Sequence, residues 1–499
     1  MKKFLVLLVL FPTILSADLT KPLAIDSDYV NYDGKQMTLV GHATVDHELG
    51  TVQAQHVTII PEKEGKKMRF AHLLLKGDVK MTLNEGGELC CSQAELDYHA
   101  LTGKFLSQDE PVTYTEMLKG KETNDAKPLE IKSRQMDVQL QRQVIKEASR
   151  LVISQMATDQ NVCINYNNNL TATALHGQYE RWNPSADETS STPHKIKGIL
   201  FLEGDCHVHD KNGDKIYADK ITIDLLKHVL HLDFPKGHLK TRETDTQNEL
   251  EFSCVRMTWE EQPDLLTLHD DVHVTLKGVG TLTNPQEVRI YREIMEGRKQ
   301  LRLMDCVGPS TVAYQDALKG DNYILTTYKR LSLDRRIMQA RLESPLDASK
   351  KVIENQQVYF AGPMGDIYAD DVIVYYKEID KQLVPLKVLL KGDVWMLKRT
   401  SADVEDPGKI LQFALSDRVE YDMTSKEMLF LANYGKRVLF FDKGNNLQVS
   451  APSVKVKRDS DTQKDVVQGI GDVRFSFIEK EFDLLQKRFG ASEINTGGL

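Results

Sequence analysis

Apolar residues fall at every second position over much of this chain, and the alternation passes through a glycine or aspartate corner before it resumes. The first clear copy reads Leu73, Leu75, Gly77, Val79, Met81. Further copies are Leu200, Leu202, Gly204, Cys206, Val208, then Leu266, Leu268, Asp270, Val272, Val274. Later ones are Val388, Leu390, Gly392, Val394, Met396 and Val467, Gly469, Gly471, Val473, Phe475. The residues between are mostly Lys, Asp, His, Thr and Glu. Strict alternation predicts strands with one dry and one wet face. The parity survives the corner, so Gly77 is expected on the face of Leu75 and Val79. A small inward residue there lets a strand bend without leaving its sheet. Many such strands predict an all-β body around a long apolar interior.

A second element begins with Ala-Asp or Ser-Asp and runs into an alternating strand ending in Tyr or Asp. It occurs at Asp26–Asp33, Ala218–Asp224, Ala369–Tyr376 and Ser416–Asp422. The two elements alternate without the fixed period of leucine-rich or propeller repeats. They cluster in three groups, which predicts three β modules over residues 18–150, 151–345 and 346–478. Asn183–Pro193, rich in Pro, Ser and Thr, reads as an insertion in the second. Helical signal is scarce. Phe482, Leu485 and Phe489 give a short terminal helix over Ile478–Phe489 within a tail of residues 479–499.

Composition narrows the partners. The chain has 499 residues, 41% hydrophobic and 27% charged, with a net charge of −9. These values suit a large globular chain and give no reason to expect nucleic acid, which needs a clustered basic surface. Lys2-Lys3, an apolar stretch of about 12 residues and a small residue at Ala17 make residues 1–17 a cleavable secretory signal, too short to span a bilayer. Its removal takes two lysines and no acid, so the exported chain is more acidic still. Six cysteines then lie in an oxidising space. Their pairing is left open, and inward Cys206 reads as a small buried hydrophobe.

The ordered recurrence of Ala/Ser-Asp strands and Gly-Asp corners behind a signal resembles the OstA-like (LptA) family of lipopolysaccharide-transport proteins. The closest copy is Ile25–Asp33 followed by Met37–Val45 and Gln53–Ile59, where Gln55 replaces the usual acid. The likeness covers most of residues 22–477, although the chain is much longer than one bridge module and lacks the barrel of the outer-membrane partner. It implies an elongated, twisted two-sheet β-jellyroll, or β-taco, built from OstA-like modules. Such a protein would be a periplasmic bridge holding lipid A acyl chains in a trough. It would join the periplasmic component of the inner-membrane transporter and the outer-membrane translocon by strand-edge addition. The edges expected to do so lie near Tyr29–Tyr32 and Val454–Phe477.

The inward candidates for lipid contact are Leu39, Val45, Leu73, Leu75, Val79 and Met81 in the first module. The second offers Leu200, Leu202, Val208, Leu266, Leu268, Val272 and Val274, and the third Leu390, Val394 and Met396. Each buried CH₂ of an acyl chain contributes about 0.8 kcal/mol, so such a trough holds lipid without a catalytic group. The competing reading is an exported structural or adhesive β protein whose same residues form a solid core. Only an open seam distinguishes the two.

No catalytic constellation is expected. His207 and His209 share a strand face at a spacing cupin metal sites use, but the remaining cupin frame is missing. Alternation also places both on the wet face, as it does His269 and His273, so neither metal nor cofactor is expected. The repeated aspartates fall at turns and corners, where they satisfy local backbone, rather than converging in a cleft as glycoside hydrolysis needs. An exported polysaccharide enzyme therefore remains a third and weaker reading.

Overall fold

The computed structural model describes residues 24–64, 67–119, 126–145, 148–182, 196–240, 249–276, 280–295, 298–315, 322–362, 365–379, 382–399, 410–458 and 465–489. The expected signal, the 183–193 insertion and the last residues lie outside them. The described residues are nearly all strand, with one helix, α1 (Glu479–Phe489), where sequence spacing places it. The chain divides into two compact units, Met1–Pro235 and Lys236–Leu499. The ladder runs unbroken past residue 150, since Gln135–Ile145 pairs with Ala148–Tyr166 up to Ile145↔Ala148. The 344–357 stretch lies between Gln339–Glu343 and Val358–Gly362.

Each long pass of chain is two half-strands meeting at a corner, and every described pairing of named strands is antiparallel. In Gln382–Arg399, residues before the corner pair with Asp371–Ile379, while those after it pair with Gly365–Ala369. Gly392 and Asp393 lie between, where the register shifts. One strand thus serves two ladders. Within each unit the inward faces of the ladders meet. Phe430 and Phe440, from opposite ladders of the second unit, have ring centroids 6.3 Å apart. Tyr114 and Tyr179 do the same at 6.1 Å in the first.

The corners explain the two recurrent sequence elements together. Gly77, Gly204 and Gly392 have φ of +77°, +80° and +83°, which glycine adopts without a Cβ penalty. The expectation that Gly77 faces the interior is corrected. A Cβ there would lie 2.6 Å from the Oε1 of exposed Gln55, so left-handed backbone and a polar neighbour require the glycine. At the Ala-Asp element, the Asp370 carboxylate accepts the Asp393 N–H at 3.1 Å, tying one recurrent element to the other. Successive corners in the second unit also bond through the backbone, with Ser344 N–H donating to Asp370 O and Asp370 N–H to Lys391 O, both at 3.0 Å. The corner line is a hydrogen-bonded spine.

Helix α1 covers the outer face of one ladder. Leu485 packs into a cluster with Leu397, Phe413, Leu439 and Phe441, so every residue of Val438–Asp442 is buried. Glu481 accepts the Ile478 N–H at 3.0 Å and the Ser450 hydroxyl at 2.8 Å, capping the helix start. Glu479 and Glu481 in the first turn and Lys487 and Arg488 in the last complement the helix dipole.

Candidate functional site: an apolar groove in the second unit

Among the described residues, the inward candidates of the first unit are closed off from water, whereas Val30, opposite Leu39 on the first edge, is exposed. Leu39, Val45, Leu73 and Met81 are 0% exposed, and Leu75, Val79, Leu200, Leu202 and Val208 are also buried. Across this interior runs a polar bridge that alternation alone does not flag. Arg181 donates from Nε and Nη2 to Glu116 Oε1 at 3.0 and 2.8 Å, and Tyr114 and Tyr179 donate to Glu116 Oε2 at 2.7 and 3.0 Å. Arg181 Nη2 also donates to the carbonyls of Glu85 and Gly86. Arg181 is wholly buried, so the pair satisfies itself inside the core. Burial, then the Glu116 charge, pushes both tyrosine hydroxyls well above the usual range, keeping them neutral donors. The sequence signal was present: Glu116 sits in the inward file of Val112, Tyr114 and Leu118.

The second unit behaves differently. Its inward positions next to the corners stay buried: Leu268, Val288, Cys306, Leu331, Leu342, Val372 and Leu390 on one ladder, Val272, Val358 and Val394 on the other. These make a floor. Asn284, Ser310 and Thr327 are also buried there, and Asn284 Nδ2 donates to Ser310 Oγ at 2.8 Å while Thr327 Oγ1 donates to Glu343 O at 2.7 Å.

Two residues further from each corner, the inward files open. On one ladder the partners in register are Val312, Leu325, Phe360, Ile367 and Met396, all half-buried. On the other they are Met304, Leu333, Ala340, Val374, Val388 and Tyr421, again half-buried. Both files are fully buried where they begin, at Leu282 and Ile290. Closed floor and half-exposed walls describe a wedge-shaped apolar groove. With strands about 4.8 Å apart, the walls run roughly 20–24 Å. An open pocket of about 490 Å³ lies at its edge among Leu276, Gly280, Tyr314 and Tyr323.

The groove has defined ends. Buried Trp259 stands at one, donating its indole N–H to Asp264 at 3.0 Å, with Arg292 and Lys299 over its ring at 5.7 and 5.5 Å. At the other end Lys398, the next inward residue after Met396, reaches Asp465 of the facing ladder at 2.5 Å. Of the sequence candidates in this unit, Leu266, Leu268, Val272, Val274, Leu390 and Val394 are buried and only Met396 lies on a half-exposed wall.

Cys206 and Val208 point in, while His207 and His209 point out, with His207 on Asp205 at 2.9 Å. His269 and His273 meet Glu287 and Asp271. Among the described residues no three His, Cys, Asp or Glu side chains converge as a metal site. All six cysteines are free thiols, and burial pushes Cys306 and Cys254 up to about 12. Turn aspartates hold backbone as expected: Asp97 accepts from His99 and Ala100 and Asp422 from Thr424 and Ser425, which lowers both carboxyls. At the chain's start, Tyr29–Tyr32 pairs with Met37–His47 alone among the described strands, and Tyr29 and Val30 are exposed. Asp465–Ile470 likewise pairs only with Ser453–Arg458. No protein-family model and no curated protein matches the chain.

Proposed function

We propose that this protein carries glycolipid acyl chains in the groove of its second unit. The observation that supports this is the register-matched pair of half-buried apolar walls above a buried floor. Contiguous, partly exposed apolar surface of this kind suits an interaction site. One leaflet's acyl chains span about half of a hydrocarbon core of about 30 Å, so the groove accommodates a chain lying along its walls. The resemblance to OstA-like proteins makes lipopolysaccharide the cargo, the periplasm the compartment, and the single-sided edges at Tyr29–Tyr32 and Asp465–Ile470 the places where transport partners add strands. Nothing in this reading requires catalysis.

The closed interior of the first unit favours a structural role for that half, as a rigid spacer rather than a second lipid site. Photocrosslinking separates the two roles. A photoreactive residue at Leu333 or Phe360 should give lipopolysaccharide adducts, while Leu75 in the closed core and outward Ser332 and Tyr359 should give none. Adducts at neither Leu333 nor Phe360 in folded protein would refute the carrier reading and favour the structural β protein.

A further inference from the structure

One lip of the groove carries an exposed isoleucine on each of three consecutive hairpin tips. Ile294, Ile337 and Ile379 are 74%, 59% and 40% exposed. The hairpins belong to one ladder and bond in order. Arg335 N–H donates to Arg302 O at 2.9 Å, and Tyr376 N–H to Met338 O at 3.1 Å. The Arg336 guanidinium reaches Glu293 of the preceding tip at 2.7 Å. Two strands separate successive hairpins, so the hairpins stand roughly 10 Å apart.

We propose that this lip seats the groove on an anionic bilayer surface, an inference that rests on the carrier reading above. Single aliphatic side chains spaced along a rim suit insertion among lipid tails, where each finds its own surroundings. A protein partner would instead need a contiguous patch. The charge around the tips favours the same partner. Arg302, Arg335, Arg336 and Lys377 surround the isoleucines in a chain whose net charge is −9. Of the acids beside them, Glu293 takes Arg336 at 2.7 Å and Arg302 at 3.8 Å, and Asp334 accepts the Arg336 backbone N–H at 2.9 Å, while Glu378 also flanks Ile379 in the sequence. Basic residues beside inserting apolar ones add attraction to anionic headgroups that salt weakens. Because the groove wall begins at Met304 and Leu333, on these same hairpins, a seated lip brings the apolar walls to the lipid.

The test is flotation of the full chain with vesicles of phosphatidylglycerol in phosphatidylcholine. Wild type should float with these vesicles, bind pure phosphatidylcholine more weakly and release as salt rises. The triple change Ile294→Ser, Ile337→Ser, Ile379→Ser should weaken binding about tenfold or more. Ile337→Trp alters one exposed position, so folding is undisturbed, and its fluorescence should be quenched by brominated lipid beyond the wild-type level. Triple-variant binding equal to wild type, absent quenching, or equal binding to neutral vesicles would each overturn the proposal. The photocrosslinking above separates the two readings: if photoreactive residues at Leu333 and Phe360 give no acyl adduct while flotation persists, the cargo reading falls and the membrane seat stands. Adducts without flotation overturn the seat alone.

Discussion

Leu75→Ala and Leu333→Ala remove the same atoms from inward positions of the two units and should cost different amounts. Leu75 is 1% exposed inside a closed interior, so its truncation leaves a cavity and costs about 3–5 kcal/mol. Leu333 is half-buried on a groove wall. Its three lost carbons would contribute about 2.4 kcal/mol if wholly buried; with part of that surface already wet and water free to fill the gap, the cost falls to about 1.5–2 kcal/mol. Hydrogen-exchange mass spectrometry across a urea series reads both, through peptides covering Lys67–Leu83 and Arg330–Asp334. A soluble acyl ligand at a hundredfold excess over its Kd should protect the second peptide by about 2.7 kcal/mol and leave the first unchanged. Equal losses for the two variants would mean that the groove wall is as dry as the core. The argument for an acyl-chain site would then fail at its first step.

Three further outcomes test the framework that shapes the groove. Arg181→Leu should destabilise the first unit by about 3–5 kcal/mol, seen as faster exchange in Val112–Lys119, because it strands a buried carboxylate; a loss below about 1 kcal/mol would refute the bridge. Gly392→Ala forces a Cβ to 2.1 Å from the Asp370 Oδ2 at a φ of +83° and should cost about 1–3 kcal/mol in urea titration. Adding Asp370→Ala should recover only part, since the backbone conformation remains. Burial holds the His47 imidazole down to about 4, against 6.5 in the unfolded chain. The unfolded state therefore takes up the proton first, and stability should fall as pH drops from about 6.5 to 4, by up to ~3 kcal/mol. His47→Phe should flatten that part of the urea-midpoint profile, and an unchanged profile would show that another group governs it.

Much of the fold was legible because a two-residue period with a constant dry parity leaves little freedom. Leu73 through Met81 fixed which face of that strand is buried, and the spacing of Phe482, Leu485 and Phe489 marked the helix. The reason for the corner glycines was not legible, since a left-handed φ and a neighbour such as Gln55 belong to the folded chain. The Arg181–Glu116 bridge was overlooked because a charged residue in an apolar file is ordinarily read as a lapse in the pattern rather than half of a pair. Openness was hidden most completely. Leu266 and Leu333 each stand two residues beyond the inward position beside their corner, yet one is buried and the other lies on a wall. Which it becomes depends on the angle between ladders, and no local pattern encodes that angle.

On the proposed carrier reading, the two ends of the groove would make a holding site rather than a continuous channel, and they differ in how they can be tested. Trp259 is 2% exposed and bound through Asp264 to Arg292, so its truncation would cost about 3–5 kcal/mol and mix unfolding with any change in cargo. Lys398 and Asp465 are less committed, with side chains 29% and 22% exposed. A half-wet ion pair of this kind contributes little to stability, about 0–1 kcal/mol. Lys398→Ala should therefore leave the urea midpoint nearly unchanged while removing the one described ion pair between Met396's strand and the last strand of the facing ladder. If the pair closes the groove's end, release of a fluorescent acyl ligand should quicken severalfold at unchanged stability, and Asp465→Ala should match it. If both variants release ligand at the wild-type rate, cargo leaves along the open lip, and the pair only pins the last strand in place.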